Sequence, residues 1–185
     1  MVLIEEVAQM KMSKRKRVEI IGFGLCCAIW LYTGSLLWVV DIQEREIGSL
    51  LYRIGIMVIA AIVSTVLHEA LHGAFFYKFC GRATFGAKWS KLGPVCYASS
   101  PGRAMSRWQF QVTCLAPQLL TIIIIAILWL IPLSMAVAFG LLWAAAFNLG
   151  GGCMDIYMTC QLRKYPAHSC FEDTEDGYRV YAPEV

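Results

Sequence analysis

Long apolar runs dominate the chain, with little of the alternation or amphipathic periodicity of a soluble fold. No charged residue occurs from 20 to 40, where Leu, Ile, Trp and Val prevail. A run of that length crosses a hydrocarbon core of about 30 Å as a helix. A polar link around Asp41, Gln43, Glu44, Arg45 and Glu46 follows, and then a second run, 54–79, interrupted only by His68, Glu69, His72 and Lys78. Residues 108–154 carry no charge at all, and Pro132-Leu133-Ser134 near their middle supplies a turn. This block is too long for one crossing and divides into helices at 108–131 and 135–162. The pattern predicts an all-α membrane protein, a single integral membrane domain over 1–185 with about four transmembrane helices.

Between the second and third runs lies a polar loop, 81–107, punctuated by Gly86, Gly93-Pro94 and Ser100-Pro101-Gly102. Residues 84–89 and 95–98 read as two short strands of a hairpin, with an irregular surface loop as the alternative. The tail, 165–185, carries Glu172, Asp173, Glu175 and Asp176 and reads most simply as a solvated terminus.

Composition agrees with lipid as the solvent. Of 185 residues, 58% are hydrophobic and 16% charged, and the mean hydropathy is +0.59, outside the range of an ordinary soluble domain. A net charge of +3 is too small, and its basic residues too clustered, to argue for nucleic acid. Lys11, Lys14, Arg15, Lys16 and Arg17 flank the first run, Lys78, Arg82, Lys88, Lys91, Arg103 and Arg107 surround the middle loop, and Arg163 and Lys164 follow the last. The opposite side offers Arg45 and Arg53, so the positive-inside rule places both termini and the loop in the cytoplasm, with the cell membrane as the expected location. No cleavable signal peptide is expected, because the first run exceeds an h-region and lacks a small-residue cleavage site. Eight cysteines occur, but Cys26, Cys27, Cys114 and Cys153 fall within apolar runs and no CxxC pair exists, so free, buried thiols are expected.

The chemistry lies within the apolar runs. His68-Glu69-Ala70-Leu71-His72 places two imidazoles four residues apart, on one helix face, with a carboxylate beside the first. Two ligands do not complete a catalytic zinc site, which takes three protein ligands and leaves a position for water. Asp155 is the only charged residue in the apolar stretch of the fourth run, and Asn148 stands seven residues before it on the same face. His68 precedes Lys78 by ten residues and Asp155 precedes Arg163 by eight, roughly 15 Å and 12 Å of helical rise. The candidate ligands therefore reach similar depth in two runs of the same direction. Ionisable groups at such depth are costly and mark functional sites by default. Asp155 could alternatively pair with a histidine or with Arg53 for structural reasons, and Asn148 could serve as packing glue or bind substrate backbone. Gly150-Gly151-Gly152 weakens the intervening helix by about 1 kcal/mol per glycine, which suits close approach of a helix, substrate or metal. Pro117 either kinks its helix beside the site or merely perturbs it.

HEALHG within an apolar helix, Leu115-Ala116-Pro117 in the next and Asn148 to Asp155 in the last resemble the zincin peptidases related to site-2 proteases, over roughly residues 50–160. The resemblance implies Zn2+ held by His68, His72 and Asp155, Glu69 as general base, and a helical core opening to the cytoplasm. Site-2 proteases carry Asn-x-x-Pro-x-x-x-Leu-Asp-Gly. Here Asn148 stands one residue closer to its aspartate, Gly151 replaces the proline and Ile156 follows Asp155. This spacing is more similar to the putative zincin branch. The expected function is a zinc-dependent intramembrane endopeptidase acting on a membrane-anchored protein or peptide in the bilayer, with Asn148 as a substrate-binding candidate. The alternatives are a membrane metal-binding or transport protein and a catalytically inactive adaptor.

Overall fold

The computed structural model describes residues 6–11, 17, 20–25, 27, 29, 47–90, 93–174 and 177–181. Within them a helical layer carries a small mixed lobe at one end. The helices are α1 (Ile47–Cys80), α2 (Arg107–Leu115), α3 (Gln118–Leu130), α4 (Met135–Gly151) and α5 (Cys153–Gln161), with a 3-10 turn at Leu162–Lys164. Six strands accompany them: β1 (Glu6–Lys11), β2 (Thr84–Ser90), β3 (Gly93–Ser99), β4 (Ala104–Ser106), β5 (Cys170–Thr174) and β6 (Gly177–Tyr181).

The expected all-α fold with four transmembrane helices is therefore overturned. The fold is mixed, with two antiparallel sheets: β2 pairs with β3, and a second sheet runs β1-β6-β5-β4. Among the described residues two helical stretches are long and apolar enough to cross a membrane, Leu51–Cys80 and Ala136–Lys164. A third exists only if α2 and α3, bent by 41° at their junction, count as one. The run at 108–131 is broken because Pro117 has no N–H for the helical ladder. Of the run at 20–40, residues 20–25 are helical and most of the remainder lies outside the described residues.

The long helices are apolar on every side. Leu51, Val58, Ile59, Ile62, Val63 and Val66 of α1 all remain largely exposed, an apolar surface compatible with membrane association. Where α1 meets α4 the contact is specific. Ser64 Oγ donates to the Ala144 carbonyl at 2.9 Å, and His68 Nδ1 meets Asn148 Oδ1 at 3.1 Å. Both pairs are eighty residues apart in sequence, and a constant offset means the two helices run parallel. Small residues permit close approach on the far side of α4. A Cβ at Gly24 would stand 2.8 Å from the Gly150 carbonyl oxygen and 3.1 Å from Cys153 Sγ.

Phe76, Met105, Phe110, Cys114, Met158, Leu162, Phe171, Tyr178 and Val180 form the core of the lobe. Phe110 of α2 stands 5.8 Å from Phe171 and 5.7 Å from Tyr178, ring centre to ring centre. Phe171 and Tyr178 thus turn one face of the β5–β6 pair onto α2. The Ser106 amide donates to Gln109 Oε1 at 2.9 Å and opens α2. The Arg107 guanidinium bonds the Tyr165 carbonyl and the Pro166 carbonyl, the latter at 2.6 Å, fastening the start of α2 to the turn after α5.

The tail expected to be solvated is instead folded. Glu172 is buried, accepting from the Gly102 amide at 2.7 Å and from the Tyr181 hydroxyl. Gly102 has φ +74, a left-handed conformation that closes the turn before β4. The hairpin expected at 84–98 is present, with Thr84 opposite Ser99 and Ser90 opposite Gly93. All described cysteines are free thiols, as expected.

Candidate metal centre

His68 and His72 lie one turn apart on α1 and face the α4–α5 junction. Their rings are 4.9 Å apart, edge to face, as i and i+4 positions on one helix face require. From the other side Asp155 Oδ2 stands 3.3 Å from His68 Nε2 and 3.4 Å from His72 Nε2. All three residues are buried. The interrupted helix makes this reach possible. Gly152 ends α4 at φ −78, ψ 2 and begins α5, and a Cβ there would collide with the Gln118 side-chain amide.

Could these groups hold a metal? Candidate ligand atoms of His68, His72 and Asp155 all lie within 4.8 Å of one another. A tetrahedral ion with bonds of about 2.1 Å has ligand–ligand edges of about 3.4 Å, close to the two N···O separations here. Two imidazoles and a carboxylate form a donor set that suits zinc.

The second nitrogen of each histidine is also occupied. His72 Nδ1 meets the Thr113 carbonyl oxygen at 2.9 Å. A carbonyl only accepts, so Nδ1 carries a proton, which leaves Nε2 as the atom that would face a metal. His68 Nδ1 meets Asn148 Oδ1 at 3.1 Å, while Asn148 Nδ2 donates to the Pro117 carbonyl and to Thr121 Oγ1, each at 2.7 Å. The Pro117 carbonyl forces the amide orientation, and that orientation fixes the His68 proton on Nδ1. Asn148 is 1% exposed and its described bonds all run to protein atoms, so the geometry makes it a partner of His68.

Glu69 sits next to this cluster, partly accessible, with the Ala98 backbone N–H of β3 bonded to its carboxylate. β3 thus lies against α1 beside the site, and the Phe85 ring of β2 covers Gly73 just beyond His72.

Sequence reasoning missed four contributors. The Thr113 carbonyl carries no side-chain signal, and Thr121 looked like an ordinary hydroxyl among isoleucines. Gln118, whose amide reaches Gly152, has neither amide atom partnered among the described residues. Asp173 belongs to β5, on the face shared with Phe171, opposite Tyr178. Burial raises its carboxyl well above the usual range. His72 opposes that shift, while the negative charges of Asp155, Glu69 and Glu172 add to it, so Asp173 feels the field of the site. The Asp176-Gly177 pair, a familiar hairpin-turn signal, could have revealed its strand.

Residues 61–170 match the family model DUF3267, described as putative zincin peptidase. That family implies zinc, and the His68, His72 and Asp155 group could bind it. No curated protein and no solved structure is significantly similar to the chain.

Proposed function

Since the chain belongs to the putative zincin peptidase family, we propose that it is a zinc-dependent endopeptidase of the membrane, cleaving a peptide bond within or next to a membrane-embedded segment. The observation that carries this reading is Glu69. It is a partly accessible carboxylate directly beside three convergent buried ligands, held by the Ala98 amide on a neighbouring strand. Bound zinc supplies Lewis acidity, lowering the pKa of a water and polarising the scissile carbonyl. His68, His72 and Asp155 hold the ion, with both histidines kept in the Nδ1-protonated form by Asn148 and Thr113. Glu69 accepts the proton of the attacking water and returns it to the departing amine nitrogen, the two roles of one general base–acid.

A substrate helix must unwind to expose its carbonyl. β3 lies beside Glu69, and an extended segment added along the hairpin would present its backbone there by β-augmentation. The apolar helices carrying both halves of the site support cleavage within the membrane, as does the likeness of HEALHG and Asp155 to site-2 proteases. Lys78, Arg163 and Lys164 end the two long helices on one side, and β1 pairs with β6, which supports both termini and the site opening lying in the cytoplasm. Ser64, Asn148 and Thr121 engage partners within the helices, an arrangement that favours hydrolysis at a closed site over passage of an ion.

The test pairs metal content with cleavage. Glu69→Gln is expected to keep zinc at the wild-type level and lose cleavage of transmembrane reporter segments in proteoliposomes. Full cleavage by that variant with zinc bound would refute the mechanism.

A further inference from the structure

We infer that Pro117 is a positioning residue for the metal site, its missing N–H supplying the partner of one histidine and its carbonyl helping to hold the partner of the other. The inference rests on reading His68 and His72 as metal ligands and concerns what orients them.

In an uninterrupted helix the carbonyl of residue 113 would accept from the N–H of residue 117. Proline has no N–H, so the Thr113 carbonyl loses that donor. This same carbonyl accepts from His72 Nδ1 at 2.9 Å. Any other residue at 117 would bring an N–H to this carbonyl, and His72 would then share it.

The second half of the device is the carbonyl of Pro117 itself. The break shifts the local ladder to three-residue spacing: Leu119 donates to Ala116 and Leu120 to Pro117, both at 3.1 Å. The Pro117 oxygen also accepts from Asn148 Nδ2 at 2.7 Å. Thr121, one turn on, accepts from that nitrogen as well. With both amide hydrogens directed at α3, Asn148 Oδ1 is left facing His68 Nδ1. One proline therefore orients the ligand atoms of two histidines through Thr113 and Asn148. Thr113, Pro117 and Asn148 are each fully buried, so water does not replace these partners.

Second partners of this kind hold a ligand's tautomer and ring orientation, and removing one costs about 10–100-fold in metal affinity. The bend of 41° between α2 and α3 is then the visible result of a break whose chemical product is two oriented acceptors.

The experiment uses the full-length protein in detergent micelles, with zinc affinity measured by chelator competition and NMR of the histidine Nδ1–H groups recorded on the zinc-loaded form. Pro117→Ala restores an N–H aimed at the Thr113 carbonyl. It is expected to weaken zinc binding about 10–100-fold and to move the His72 Nδ1–H signal upfield as its bond to the Thr113 carbonyl weakens. Thr121→Val, nearly isosteric, removes one of the two acceptors for Asn148 and is expected to weaken zinc binding by about tenfold or less, with the change confined to His68. If Pro117→Ala fails to fold, Pro117→Gly, which restores the N–H on a backbone free to keep the bend, is read in the same way. Zinc affinities within about twofold of wild type, or losses with both Nδ1–H signals unchanged, would overturn the inference. Neither measurement uses proteolysis, so a protein that binds zinc and shows the expected histidine signals but cleaves nothing would sink the peptidase reading alone.

Discussion

Replacing Phe110 by alanine tests whether the sheet lobe is what holds α2 at the metal site. The side chain is 1% exposed and packs between Phe171 and Tyr178 at 5.8 and 5.7 Å. Deleting a buried phenylalanine costs roughly 3–5 kcal/mol, from lost transfer energy and the cavity left behind. The two ring contacts contribute about 0.5–1.5 kcal/mol each beyond area, which places this site towards the upper part of that range. If the cost falls on docking of the lobe, the undocked population rises by about two to three and a half orders of magnitude. Cys170, 4% exposed on β5, reports that event directly. Its reaction with a maleimide under native conditions should accelerate by the same factor in Phe110→Ala, while Phe139→Ala, which empties a buried site on α4 away from the lobe, should leave it near wild type. Zinc affinity should fall as well, because Phe110 lies one turn before Thr113. Equal acceleration in both variants, or a change in Phe110→Ala worth less than about 1 kcal/mol, would refute the claim that the lobe docks through this aromatic contact.

Two further outcomes are expected. Asp155→Asn keeps the shape of a ligand but removes its charge, and zinc affinity should fall by more than the roughly 100-fold upper range for loss of an outer partner; chelator competition on purified protein checks this, and near-normal binding would remove Asp155 from the ligand set. Asp173 gives a pH signature. Burial raises its folded-state pKa above the ordinary value, so the folded state is favoured while the group stays protonated and is penalised as pH rises from about 3.9 through the folded pKa. Asp173→Asn in chelator should therefore match or trail wild type near pH 4 and gain on it steadily towards pH 8 in thermal unfolding. A difference that does not change with pH would contradict the raised pKa.

The parts of this fold legible in sequence were those written in local apolar pattern. α1 and the α4–α5 stretch stand out as uncharged runs, and His68, His72 and Asp155 stand out because charge is rare there. Depth counted from Lys78 and Arg163 anticipated their meeting, since both helices run the same way. The sheet lobe was not legible for a different reason. β1 pairs with β6, and β4 with β5, across more than sixty residues of intervening chain, and each strand is only three to six residues long. Glu172 and Asp173 read as solvent-facing because their acidity was visible, while one partner of Glu172, the Gly102 amide, lies seventy residues away and the other, the Tyr181 hydroxyl, is reached only once the hairpin forms.

The breaks in the apolar runs matter more to the site than the runs do. A straight pair of helices could bring His68 level with Asn148, as the eighty-residue offset does, yet would leave each backbone carbonyl shared with its own ladder. Pro117 opens the Thr113 carbonyl to His72, and the break at Gly152 admits Gln118 while α5 carries Asp155 to both Nε2 atoms. Buried away from water, as Thr113 and Pro117 are, a backbone group released from its helix must find a protein partner. A carbonyl freed beside a histidine therefore becomes a directed acceptor, and the helix-breaking residues, costly anywhere else in these spans, are what convert an apolar bundle into a site with oriented ligands.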